Sequence, residues 1–253
     1  MSRPADKENS GYVSKVLRFT TKIYQKELLK LEYRKIERAY ERQGQGWRID
    51  WDWSATNYNR IALLNVLAAR KPAGAYLEIG CFQNNLFDSI PLPLKIGVDP
   101  EQGGTVRATS DEFFAGNTRK FDLIFIDGLH TYDQVRRDLV NALKVINPGG
   151  WIALHDMLPR SAMEQHDDLL PIGRPWVGQG WKVAFELLQS QGLDWRIVKI
   201  DYGVGVIRVE TPGTALADLS STLAGSTFPY FYENHPRLPL VTWEEALPWL
   251  REA

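Results

Sequence analysis

The sequence predicts an α/β fold: a doubly wound, mostly parallel sheet with an antiparallel last strand and an N-terminal helical extension. Three observations carry this. Short apolar runs alternate with amphipathic stretches along most of the chain. A glycine turn follows the first run and a carboxylate ends the second, an order that suits a nucleotide-like ligand on such a sheet. The last two runs are joined by only Asp201-Tyr202-Gly203, which is too short for a parallel crossover and fits a hairpin.

The elements follow in order. Residues 1–12 are polar and expected to be disordered. From Val13 to about Arg42, Val13, Val16, Leu17, Thr20, Ile23, Tyr24, Leu28, Leu31 and Ile36 recur at helical spacing. Through Arg48 the chain holds 12 basic and 6 acidic residues, so this end is net +6 and the remainder −7. The acids Glu27, Glu32, Glu37 and Glu41 are interleaved with the bases, which favours i,i+4 pairing on a solvated helix over a basic field for polyanions. The stripe is long for a helix that packs only on its own domain, so a homo-oligomer built on it is expected. Gly44-Gln45-Gly46 ends the helix, and an aromatic loop follows, Trp47 to Trp53. Ser54 or Thr56 caps the next helix, with Ile61, Leu64, Val66 and Leu67 inward. Strands are expected at 75–79, 94–98, 122–127, 151–155, 195–200 and 204–209, and helices at 84–89, 132–146 and 179–191. A brief strand and a turn or two of helix fit between Asp99 and Phe121. A long loop, 157–178, leaves a strand end, where binding residues accumulate. The tail carries Phe228, Tyr230, Phe231, Tyr232 and a terminal helix near Trp243–Arg251.

Within Ala75–Asp99, Glu78 stands two residues before Gly80, and Asp99 ends the run Leu94–Val98. The glycine lets a ligand approach the backbone, and the distal carboxylate can accept hydrogen bonds from ribose hydroxyls. The turn Gly80-Cys81-Phe82-Gln83-Asn84-Asn85 is too bulky for a pyrophosphate. An acidic entry suits a ligand with an amine or sulfonium.

Glu78-Ile79-Gly80, Val98-Asp99, Phe121–Gly128 and Asn147-Pro148-Gly149-Gly150 together resemble the ordered motifs of class I S-adenosylmethionine-dependent methyltransferases. The resemblance spans roughly Ala75–Glu210 and implies a Rossmann-like methyltransferase fold. It places a core at 54–210, an N-terminal helical extension at 1–53, and a C-terminal extension at 211–253 packing on the core. It implies S-adenosylmethionine as cofactor, with Glu78, Gly80, Asp99 and Asp127 around it and Ser110 and Asp111 near the adenine. The chain departs from the family in lacking further glycines after Gly80.

The composition bounds the setting. The 253 residues are 44% hydrophobic, with nine tryptophans and net charge −1, enough for a full core and no argument for nucleic-acid binding. The one cysteine excludes an internal disulfide, and a cytoplasmic protein is expected. At Cys81 a small residue filling a tight turn is favoured over a nucleophile. No apolar run reaches the ~18 residues of a bilayer span, and the N-terminus lacks a signal-peptide core.

Two segments carry chemistry. Asp127 ends a strand with His130 three residues on, and His155-Asp156 ends the next. If neighbouring strand ends lie side by side, Asp127 and Asp156 converge as hard oxygen ligands for Mg²⁺ or Ca²⁺, and His130 is placed to take a proton near neutral pH. The plain alternative is a turn cap at Asp127 and a core histidine at His155, whose side chain strand alternation sends to the other face. Trp176, Trp181, Tyr132 and the tail aromatics are either a stacking wall or core. The pattern resembles the metal-dependent O-methyltransferases of sugars and sugar-bearing natural products. That resemblance implies Asp127 and Asp156 as metal ligands, with a third carboxylate, and His130 as base, acting with Asp127 on a small acceptor such as a sugar hydroxyl. A metal-independent N- or O-methyltransferase and a non-catalytic nucleoside-binding scaffold remain open on the sequence.

Overall fold

The computed structural model describes residue 25 and residues 27–166 and 176–252. The Val13–Tyr24 part of the apolar stripe and most of the second half of the 157–178 loop lie outside them. Helix α1 occupies 27–43 and ends at the Gly44–Gly46 turn, as the glycine pair requires. On it, Leu28, Leu29 and Leu31 are exposed and Tyr33 is buried.

The core then alternates as α2 (Arg60–Ala68), β1 (Ala75–Ile79), α3 (Asn85–Ser89), β2 (Leu94–Val98), α4 (Ser110–Gly116), β3 (Phe121–Ile126), α5 (Tyr132–Val145), β4 (Ile146–Leu154), α6 (Lys182–Gln189), β5 (Asp194–Val198) and β6 (Val204–Val209). The tail adds α7 (Ser220–Leu223), α8 (Phe228–Asn234), a 3₁₀ turn, β7 (Leu240–Val241) and α9 (Trp243–Glu252). One sheet orders these strands β2-β1-β3-β4-β6-β5-β7. β6 runs antiparallel to both β4 and β5, and every other pairing is parallel. The hairpin at Asp201–Gly203 is built as its length demands, with Asp201, Tyr202 and Gly203 all at positive φ. The expected strand before α4 is reduced to one bridge, Val98 to Val106. Strand β7 was not anticipated.

Strand alternation sorts the side chains into two layers. Leu77, Ile124, Ile126, Ile152 and Ile207 face α5, α6 and α8 through Leu139, Leu143, Phe185, Phe228 and Phe231. Tyr76, Leu123, Phe125, Trp151 and Val206 face α2, α3 and α9 through Leu63, Leu64, Phe87, Trp243 and Leu250. The tail thus covers both faces of the sheet. Trp181 and Tyr132 are core residues, fully or almost fully buried, and form no ligand wall. Cys81 is buried, and burial pushes its thiol pKa well up, so it is a packing residue.

Helix starts differ from expectation for local reasons. α2 is capped by Asn59, whose Oδ1 accepts from Ile61 N–H at 3.0 Å, not by Ser54 or Thr56. Ser54 turns back on Asp52 instead. Asn84 sits at φ 63, so α3 begins one residue later. Thr109 and Glu112 form a reciprocal capping box that starts α4.

Candidate active site

The carboxyl ends of β1, β2 and β3 and the start of α4 surround a cavity of about 490 Å³, within the roughly 300–1,000 Å³ typical of small-molecule sites. Gly80, Phe82, Asp99, Glu101, Ser110, Asp127, Gly128, Gln134 and Trp176 are on its wall. Its surface is mainly apolar, and Phe82 and Leu129 stand 61% and 46% exposed at its edge. Gly80 has φ +84, and a Cβ there would lie 2.1 Å from the Asp127 carbonyl oxygen, so only glycine lets β1 and β3 end side by side.

Asp99 accepts hydrogen bonds from four backbone N–H groups. Cys81 and Phe82 donate to Oδ2 at 3.0 and 2.9 Å, and Glu101 and Gln102 donate to Oδ1 at 2.8 and 2.9 Å. Burial opposes its ionisation, but these bonds outweigh burial and hold its pKa below the ordinary value. A carboxylate has about four acceptor positions, and here all are taken by the backbone. Asp99, expected at the ribose, lines the cavity and also ties the Gly80 turn to the turn after β2. Glu101, beside it, is a second carboxylate on the wall and lies in no motif singled out in the sequence.

Two expected cofactor residues, Glu78 and Asp111, are not on the wall. Glu78 is 2% exposed and accepts a hydrogen bond from the Tyr76 hydroxyl beneath the strand ends. Alternation puts it on the α2 face with Tyr76. Burial raises its pKa to about 7. A protonated Glu78 therefore favours the folded state. That advantage is complete below the unfolded value of 4.5 and is lost as pH rises through about 7, a change of at most about 3 kcal/mol. Melting curves from about pH 5 to about pH 8 should accordingly fall less steeply for Glu78→Gln than for the parent chain, and parallel curves would remove this assignment. Asp111 is turned outward to Arg137 at 3.4 Å, because the first turn of α4 presents it to solvent and to α5. Ser110 does line the cavity. Gln134 Nε2 donates to its Oγ and to Asp138 Oδ1, both at 3.0 Å.

On the other side of Asp127 the strand ends of β3 and β4 meet. Donor atoms of Asp127, His130 and Asp156 all lie within 4.8 Å of one another. His130 Nε2 is 3.5 Å from Asp127 Oδ1, and its Nδ1 is 3.8 Å from Asp156 Oδ2. The backbone of Gly178 seats directly on His130; a Cβ there would come within 2.4 Å of the His130 carbonyl oxygen. Gln179 N–H donates to that oxygen at 2.7 Å, and Trp176 meets the His130 ring edge-on at 5.3 Å.

His155 also enters this cluster, against the alternation argument. Asp156 has φ 58, so the strand ends in a left-handed kink and both side chains turn to one side. His155 Nδ1 lies 3.1 Å from Asp127 Oδ1 and 3.2 Å from Asp156 Oδ1. Its Nε2 faces Asp201 Oδ2 at 3.5 Å. Arg60 Nη1 bonds the same Asp201 oxygen at 2.7 Å, and Arg60 Nε is 3.7 Å from Asp127. Burial works against a charged His155, but Asp127 and Asp156 outweigh it and hold its pKa well above the ordinary value. Burial likewise raises Asp156, while for Asp127 it is overcome by His155, His130 and Arg60, which lower it. Arg60 and Asp201 come from a helix start and a hairpin far apart in the chain, and no motif announces them.

The arrangement fits both groups the sequence implies. The apolar cavity with a glycine floor and no phosphate cradle suits a nucleoside sulfonium, and two carboxylates with imidazoles suit a divalent cation. Residues 49–157 match the family model described as a methyltransferase domain. The matched stretch, under half of the chain, is similar to a methyltransferase domain and lies on a Rossmann-like, mostly parallel sheet. Among solved structures it is similar to the O-methyltransferase TomG from Streptomyces achromogenes, involved in tomaymycin synthesis, in complex with SAM. The identity is 17% over 59% of this chain and 79% of that one, with TM-score 0.44. It is also similar to the O-methyltransferase from Bacillus cereus in complex with SAH, at 15% identity over 70% and 90%, with TM-score 0.43. A third similar structure is the MycE methyltransferase of the mycinamycin pathway with Mg, SAH and mycinamycin VI, at 18% identity over 56% and 46%, with TM-score 0.38. No curated protein matches the sequence. Among the described residues no helix is long and apolar enough to cross a membrane.

Proposed function

We propose that the chain transfers the methyl group of S-adenosylmethionine to a hydroxyl of a small polar acceptor, with a sugar hydroxyl the first choice. The observation that carries this is the meeting of Asp127, His130 and Asp156 at the edge of the cofactor cavity. Transfer from a sulfonium is an in-line displacement, and alignment supplies much of the rate. A hydroxyl must also lose its proton. His130, packed by Gly178 and Trp176 and open toward Asp127, takes that proton. Asp127 and Asp156 would hold a divalent cation, whose chemistry there would be to lower the pKa of an acceptor hydroxyl. Gly80, Ser110 and Asp127 contact the cofactor, and Glu101 takes the ribose hydroxyls that Asp99 has no free lone pair to accept.

Metal removal tests the reading. Activity is expected to vanish after EDTA treatment and to return on adding a divalent cation, with S-adenosylhomocysteine binding by calorimetry retained throughout. Full activity in a metal-free preparation would discard the cation. A second reading, transfer without metal, is favoured by one observation: Arg60 already places a guanidinium against Asp127 and Asp201. The same experiment separates the two.

A further inference from the structure

Resting on the cation reading above, we infer that His155 is the third protein ligand, oriented by Asp201 and Arg60, and that the site selects a borderline transition ion over Mg²⁺ or Ca²⁺. The argument is geometric. Cis donors around an ion with bonds of about 2.1 Å sit ~3 Å apart. His155 Nδ1 lies at 3.1 and 3.2 Å from the two carboxylate oxygens, closer than His130 at 3.5 and 3.8 Å. His155 is therefore placed to ligate, and His130 to stand beside the ion as base.

The second observation is the partner behind the ring. His155 Nε2 faces Asp201 Oδ2, and that oxygen is itself fixed by Arg60 through Nη1 at 2.7 Å and the backbone N–H at 3.2 Å. His155 Nε2 is buried and has no hydrogen-bond partner among the described residues, with Asp201 facing it at 3.5 Å. An ion taking Nδ1 would displace the proton that now faces Asp127 and Asp156 and leave the ring's remaining proton on Nε2 toward Asp201, the usual support of a metal-binding histidine. Asp201 reaches this position only because the hairpin holds it at φ 45. Three aspartates without a histidine would suit Mg²⁺. An imidazole among carboxylates shifts the preference toward Mn²⁺, Fe²⁺ or Zn²⁺. Asp201 is thus a positioning residue, and Arg60 positions it in turn.

Mn²⁺ is the probe, with Mg²⁺ as competitor, read by the loss of the free-ion EPR signal on the whole chain. Mn²⁺ should bind, and an equal concentration of Mg²⁺ should not displace it. Spin-echo modulation of the bound ion should show imidazole nitrogen coupling in the parent and in His130→Ala, and none in His155→Ala. His155→Asp should narrow the Mn²⁺ over Mg²⁺ preference. Asp201→Asn should weaken Mn²⁺ by about 10–100-fold, with S-adenosylhomocysteine affinity unchanged as the check on folding. Bound Mn²⁺ without nitrogen coupling, or with coupling that survives His155→Ala, overturns the ligand assignment and leaves the cation reading standing. Binding of neither ion removes both.

Discussion

His130→Ala is expected to lower the methyl-transfer rate by about 10²–10⁴, the usual share of a general base. Asp127→Asn and Asp156→Asn should each lose most of the rate as well. Asp127 is the hinge of the cluster. Its Oδ1 faces both His155 at 3.1 Å and His130 at 3.5 Å, and its Oδ2 faces Arg60 at 3.7 Å. Asparagine keeps the shape and removes the charge that draws these three groups together. Asp156 does not line the cofactor cavity, so Asp156→Asn should leave S-adenosylhomocysteine affinity intact while the rate falls. Initial rates at saturating cofactor, with calorimetry on the same samples, decide it. A His130→Ala enzyme with the parent rate would discard the base. An Asp156→Asn enzyme with full rate would discard the cation ligand.

Asp99→Ala should lose cofactor binding and lower the melting temperature even with no cofactor present. A ribose contact alone predicts the first effect without the second. Asp99 gathers N–H groups from Cys81, Phe82, Glu101 and Gln102, and hydrogen bonds to a charged acceptor contribute about 1.5–3 kcal/mol apiece when lost singly. The four losses do not add, because the exposed turn at 101–102 recovers water, but about 3 kcal/mol is a fair scale for the whole. Glu101→Ala supplies the contrast, with weakened cofactor binding and an unchanged melting temperature. A thermally unaltered Asp99→Ala would show that the loop does not depend on this carboxylate.

Most of the sheet was legible because its signals are local. Glu78-Ile79-Gly80, the Val98-Asp99 strand end, the Phe121–Ile126 run and the three-residue hairpin each declare themselves within a few residues. The site was half legible. Asp127, His130 and Asp156 follow from neighbouring strand ends. His155 did not, because alternation assumes a regular strand and Asp156 breaks it with a positive φ. Asp201 and Arg60 could not, since only the closed sheet brings a hairpin and a helix start together. Asp99 and Asp111 show a further limit. A carboxylate in the right place in a motif says nothing about which donors will saturate it, whether four backbone N–H groups or Arg137.

On the proposed function, the contact of Gly178 with His130 has a consequence for how the acceptor could be changed. At the turn 178–180 the backbone rests on His130 with no side chain between. If His130 is the base, as proposed above, acceptor choice and proton removal are mechanically one part. A remodelled loop that accommodates a bulkier acceptor by shifting this turn also shifts the base. Variants selected for new acceptors should then cluster in residues that leave Gly178 in place, and those that move it should bind the new acceptor and fail to methylate it.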